Sequence, residues 1–258
     1  MPVDDGLIGG IHVTRLARAE AGAPHDHEAF QASTLDALMR GSLRGDLTIG
    51  ELLRHGDLGL GTLDLLDGEL IVVDGEALIA RVDGSVSPVD PATCTPFAVV
   101  CRFAADTEGP IADARGFDAV TAAVDALAPP RAACLAVRID GRVAHARVRS
   151  VARQDQPNPT LAAAVAGQAV WDLHDLDATV VGFRFPRDAA GLELPGWHLH
   201  LVSADRTAGG HVLDLSIDHG TIRVEHESEL VVEVPAGVDV GHAGADAARD
   251  AALDDFER

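Results

Sequence analysis

The feature that most constrains this chain is a series of short period-two runs, punctuated by Asp-Gly and Gly-Gly pairs. Alternation at that period sends successive side chains to opposite faces, as in a half-buried strand, and an Asp-Gly between two such runs signals a hairpin. Glu69–Val73 and Ala77–Val82 flank Asp74-Gly75, and Cys134–Ile139 and Arg142–Val151 flank Asp140-Gly141. Pro96–Phe103 reads as a further strand, as do 178–185, 197–203, 211–217 and 221–234, with Gly209-Gly210 and Asp218-His219-Gly220 as turns. Apart from a tail over 243–258 read as helical in part, helical spacing is confined to four places. These are 35–40 behind Ser33 or Thr34 as cap, 47–55 behind Asp46 or Thr48, 117–127, and an Ala-rich stretch over 160–171. Strands outnumber helices and most are joined as hairpins, so the expected class is α+β with mixed or antiparallel sheets.

Residues 1–30 show no sustained period and read as a loosely docked arm, while Pro129-Pro130 divides a unit over 31–130 from one over 131–242. The remainder, 243–258, is an Ala- and Asp-rich tail. Asp and Glu number 41 against 20 basic residues, a formal charge of −21, which argues against nucleic acid and against anionic membrane surfaces. The apolar runs are too short to span a bilayer. All 20 basic residues are Arg. A chain without Lys forms no internal Schiff base and has no phosphate-binding G-x-x-x-x-G-K-[ST] loop, so any carbanion it stabilises needs a metal or a bound cofactor. Cys94, Cys101 and Cys134 form no C-x-x-C pair, and the N-terminus lacks a basic stretch followed by an apolar one, so a reducing, cytoplasmic compartment is expected.

The chemistry concentrates in Gly196-Trp197-His198-Leu199-His200 and in His211, which follows Asp205-Arg206-Thr207-Ala208-Gly209-Gly210. On a strand, His198 and His200 share a face at ~6.5–7 Å, and a turn through 205–210 delivers His211 to the neighbouring strand. An H-x-H pair alone fits solvent-facing polar alternation, but the third imidazole turns the reading to a metal with an open coordination side. His25-Asp26-His27 has the same spacing in a polar arm with no third partner and reads as solvated, while Asp205 reads as a turn residue and Asp214 faces away from His211. A three-His zinc hydratase or hydrolase and a non-enzymatic, metal-stabilised binding protein share the metal signature. A cupin-type oxygenase lacks its Glu shortly after the pair.

Those histidine segments resemble the metal-binding segment of α-acetolactate decarboxylase. Three further stretches agree in order: Gln31–Leu38, then Gly45–Thr62 followed by Leu66-Asp67-Gly68-Glu69-Leu70-Ile71, and then Arg149-Ser150-Val151-Ala152-Arg153-Gln154. The resemblance spans roughly 30–217. Trp197 replaces the usual Tyr or Phe, which would keep an aromatic wall, and Ala152 replaces Pro.

The resemblance implies an N-terminal mixed-sheet domain, a metal-bearing C-terminal antiparallel β domain, and a homodimer. It implies decarboxylation of 2-acetolactate to acetoin and CO2, with a divalent metal, Zn2+ first, chelating the ketone and hydroxyl oxygens and steadying an enediolate. His198, His200 and His211 would hold the metal and Arg149 the departing carboxylate. Glu69 would act as an acid/base beside the metal, Thr62 as a polar contact of the pocket wall, and Glu257 as a carboxylate reaching back from the chain end.

Overall fold

The structure, a computed structural model, describes residues 10–14, 27–128, 134–155 and 164–234. Two sheets account for most of it. The first runs in the order β1 (Gly10–Thr14), β15 (Glu229–Glu233), β2 (Glu28–Ala32), β9 (Phe97–Cys101), β4 (Leu58–Thr62), β5 (Glu69–Val73), β6 (Glu76–Ala80) and β7 (Val86–Pro88). It is mixed, because β15 lies parallel to both β1 and β2 while the other ladders are antiparallel. The second is wholly antiparallel: β10 (Thr107–Ala114), β14 (Gly209–Glu227), β11 (Cys134–Ser150), β12 (Ala169–Phe185) and β13 (Gly196–Ser203). The start of β14 also pairs with β13, so this sheet closes on itself. A short ladder joins β3 (Leu47–Thr48) to β8 (Cys94–Thr95). The α+β reading with mixed and antiparallel sheets is borne out.

The helices are short. Thr34 caps α1 (Leu35–Met39) and Thr48 caps α2 (Ile49–Leu52), where Glu51 completes a capping box. The third, α3 (Phe117–Asp125), lays Val120 and Val124 on the second sheet, with Ile139, Leu199, Leu201 and Leu215 in the same core. A separate core forms between the sheets, where Leu60, Ile71 and Val99 of the first meet Ala136, Val181, Phe183 and Val202 of the second. No described helix is long and apolar enough to cross a membrane.

Four expectations are corrected. Asp74-Gly75 does turn β5 into β6, but Asp140-Gly141 lies inside β11 and Asp218-His219-Gly220 inside β14. Gly141 and Gly220 face each other across that ladder, which slips in register just beyond them. A Cβ on Gly141 would sit 2.4 Å from the His219 carbonyl oxygen. These glycines therefore serve a close approach of two long strands, the alternative role of glycine in a strand. The Ala-rich helix stops early: 164 and 165 are helical, 160–163 lie outside the described residues, and β12 has begun by Ala169. The stretch read as an arm contributes β1 and the start of β2 to the first sheet. Finally, 211–217 and the first half of 221–234 are one strand, with only β15 separate.

Candidate metal centre

Alternation along β13 sorts its side chains: Leu199 and Leu201 enter the core of the second sheet, and His198 and His200 face the first. The turn after Ser203 is held by Asp205, whose carboxylate accepts from Ser203 Oγ at 2.7 Å and from the Thr207 N–H at 3.1 Å. It sets His211 directly opposite His200 in the β13–β14 ladder. Gly210 permits this junction, since its φ of +150° suits glycine and a Cβ there would press on the Arg149 carbonyl at 2.8 Å. The three rings lie with centroids 4.9, 5.0 and 5.3 Å apart, and the facing Nε2 atoms of His198 and His200 are 3.2 Å apart.

All three rings are buried, which holds them neutral. Desolvation pushes His198 and His211 well below the usual histidine range and His200 down to about 3, with the Arg149 charge adding to the effect. His200 Nδ1 donates to the Leu70 carbonyl at 2.8 Å, which fixes the tautomer and leaves Nε2 as a lone pair. His198 Nδ1 is buried with no hydrogen-bond partner among the described residues. Neutral, converging imidazoles of this kind fit a divalent transition-metal ion, which they would hold on one side only. Asp214 is elsewhere, accepting the Phe117 N–H at 2.9 Å.

Glu69, next to Leu70 on β5, brings Oε2 to 3.6 Å from His200 Nε2. Burial pushes its carboxyl up to about 7, against the pull of Arg149 and the Val151 backbone. Arg149 is fully buried, is the register partner of His211 on β11, and donates from Nη1 to Gln168 Oε1 at 3.2 Å. Thr62 is the register partner of Glu69 on β4 and donates its hydroxyl to the Gly68 carbonyl at 2.8 Å. A cavity is lined by the polar Thr62, Glu69, Arg149 and His198 and by the apolar Leu35, Leu38, Phe97 and Leu194, among others. Thr62, Glu69, Arg149 and His198 thus line one pocket, and His200 and His211 join it through their cluster with His198. Glu257 lies outside the described residues.

Known proteins give the same direction. The sequence model of the alpha-acetolactate decarboxylase family matches residues 29–243. The chain belongs to the alpha-acetolactate decarboxylase family. It is 41% identical over 238 residues to the alpha-acetolactate decarboxylase of Methylococcus capsulatus, covering 91% of each chain. It is 37% identical to that of Methanosarcina mazei, covering 83% of this chain and 74% of that one. The crystal structure of the Bacillus subtilis alpha-acetolactate decarboxylase superposes with a TM-score of 0.82 at 30% identity, covering 88% of this chain and 98% of that one.

Within this member of the family, Trp197 does not form the expected aromatic wall. It alternates with His198, so it packs on the core of the second sheet with Arg184 over its ring. The period-two pattern contained that answer. Two contacts to candidate site residues were not legible: Gln168, just before β12, which accepts from Arg149, and the Leu70 carbonyl, which orients His200.

Proposed function

We propose that the chain converts 2-acetolactate to acetoin and CO2, with a zinc ion on His198, His200 and His211. The observation that carries the reading is the adjacency of the imidazole set to a buried Arg149–Glu69 pair in one cavity. When bound, the cation supplies Lewis acidity toward the ketone and hydroxyl oxygens of a 2-hydroxy-3-keto acid, the electron demand that a Lys-free chain cannot meet through an imine.

The other steps belong to side chains. Arg149 binds the substrate carboxylate through its planar fork, and burial keeps that charge from being screened. As the carbon–carbon bond breaks, negative charge passes from the carboxylate to the remaining oxygens. Arg149, beside His211, stays within reach of both places. One proton must then reach the carbon that lost CO2. Glu69, whose carboxyl sits near neutrality, holds a proton there at working pH and regains it from solvent afterwards. Thr62 narrows the pocket wall with its hydroxyl turned to Gly68. Leu35, Leu38 and Leu194 keep water from competing for the oxygens. The reading also gives Glu257 the role of a carboxylate returning from the chain end, and a homodimer as the assembly, both on the family resemblance alone. That Cys94, Cys101 and Cys134 form no disulfide is consistent with a reducing, cytoplasmic compartment.

The test is to incubate the metal-loaded protein with racemic 2-acetolactate and measure acetoin and CO2, with CO2 hydration and ester hydrolysis run beside them. Stoichiometric acetoin and CO2 is the expected result. Hydratase or esterase turnover without acetoin would move the site to zinc–hydroxide chemistry.

A further inference from the structure

A second group of metal-ligating side chains lies at the end of β14 opposite His211. Asp106, between β9 and β10, places Oδ2 2.6 Å from His226 Nδ1 and accepts the His226 backbone N–H at 2.8 Å. The ring of His27 stacks on His226 with centroids 4.3 Å apart, and its Nε2 is 4.0 Å from Asp106 Oδ1. The other ring nitrogen, Nδ1, faces Glu225 Oε1 at 3.5 Å. Glu225 is held in turn, its Oε2 accepting the Ala104 N–H at 2.7 Å. The reading of His27 as a solvated histidine without a third partner is thereby corrected: Asp106 and His226 are its partners, and His25 lies outside the described residues.

The surroundings are short of positive charge. Glu225 and Glu227 share the inward face of β14 and are only 2% and 3% exposed. Among the described residues no arginine pairs with Asp106, Glu225 or Glu227. Nor does any N–H or O–H donor reach the Glu227 oxygens, which lie beside Glu225 and the Cys101 thiol. Buried carboxylates so placed are costly unless protonated or neutralised by a cation.

We infer that His27, Asp106 and His226 form a second divalent-cation site, distinct from the imidazole triad. Two imidazoles and one carboxylate suit a first-row transition ion of the zinc type better than calcium or magnesium, which prefer all-oxygen sets. With the Glu225 carboxylate 3.5 Å from His27 Nδ1, a proton is favoured on that nitrogen, which leaves Nε2 as the ligand atom. The two histidines are half-buried and Asp106 is exposed, so an ion enters from solvent. They come from the segment before β2, the loop before β10 and the end of β14, so an ion bound there ties together parts of both sheets. An ion that binds only the folded chain raises its stability.

The experiment counts zinc. Metal-depleted protein is loaded with Zn2+, passed through gel filtration and analysed for bound ion per chain, with the melting temperature recorded before and after loading. The count should fall by one in His226→Gln and in Asp106→Asn, with part of the zinc-induced rise in melting temperature lost, while acetoin formation by the zinc-loaded variants stays at the wild-type rate. If His226→Gln does not fold, Asp106→Asn decides alone. A count that is the same in the wild type and the folded variant overturns the inference. Because the readout is a difference of one ion, it stands whether or not the triad proves to be the seat of decarboxylation, which the acetoin assay judges separately.

Discussion

Replacing Arg149 by Met tests how much of the chemistry its guanidinium supplies. The side chain is fully buried and donates to Gln168, so its charge acts in a setting where solvent cannot substitute for it. A hydrogen bond to a charged group contributes about 1.5–3 kcal/mol, so losing a two-point grip on a carboxylate removes roughly 3–6 kcal/mol. At about 1.36 kcal/mol per tenfold, kcat/KM for 2-acetolactate should fall by roughly 10²–10⁴. Arg149→Lys keeps a point charge without the fork and should fall in between. Gln168→Leu removes one neutral partner at 3.2 Å and should cost only about 2- to 10-fold. The guanidinium also opposes the burial that lifts the Glu69 carboxyl to about 7, so the Met variant should titrate Glu69 at higher pH. Initial rates of acetoin release across pH, on protein with unchanged metal content and a wild-type circular dichroism spectrum, provide the assay. A folded, metal-loaded Arg149→Met within threefold of wild type would refute the role given to the fork.

Three other perturbations address different links. Glu69→Gln should bind metal normally yet lose about 10²–10⁴ in kcat, and a loss confined to KM would remove Glu69 from proton transfer. Gly141→Val would drive a side chain into the His219 carbonyl, 2.4 Å from the first added carbon, and should lower stability by about 1–3 kcal/mol in urea unfolding; an unchanged midpoint would contradict the close-approach reading. Glu193 is fully buried, has one oxygen without a partner among the described residues, and is pushed up by burial to about 8. A raised carboxyl favours the folded state while protonated, so its contribution is lost as pH climbs from the unfolded value near 4.5 through about 8. Glu193→Gln should therefore raise the melting temperature at pH 8.5 and leave it nearly unchanged at pH 4.5; equal effects at both would disprove the buried titration.

Much of the site could be read from the chain because its key spacing is local. His198 and His200 are two apart on one strand, and His211 follows through a turn whose Asp205 and Gly210 are visible in sequence. Arg149 and Glu69 look like ordinary strand residues by period alone. Only the family resemblance singled them out, since their meeting depends on how β11 and β5 pack from opposite sheets. Gln168 carries no local signal, because its role exists only once β12 lies beside β11. Asp140-Gly141 misled for a physical reason: a turn dipeptide between alternating runs does not reveal whether the hydrogen bonds continue across it, and here Gly220 faces Gly141 so that they do. His27 was misread because Asp106 and His226 are remote in sequence and converge only where the two sheets meet.

The central claim is that the buried imidazole set on β13 and β14 holds the ion on which decarboxylation depends. Its most direct test follows acetoin release as zinc is withdrawn from the protein by a chelator and then returned in measured amounts, beside a His200→Ala variant treated alike. Turnover should fall with the withdrawn metal and return with it in the wild type, while His200→Ala stays inactive at every zinc level. Full turnover by the metal-depleted protein, or full rescue of His200→Ala, would contradict the account.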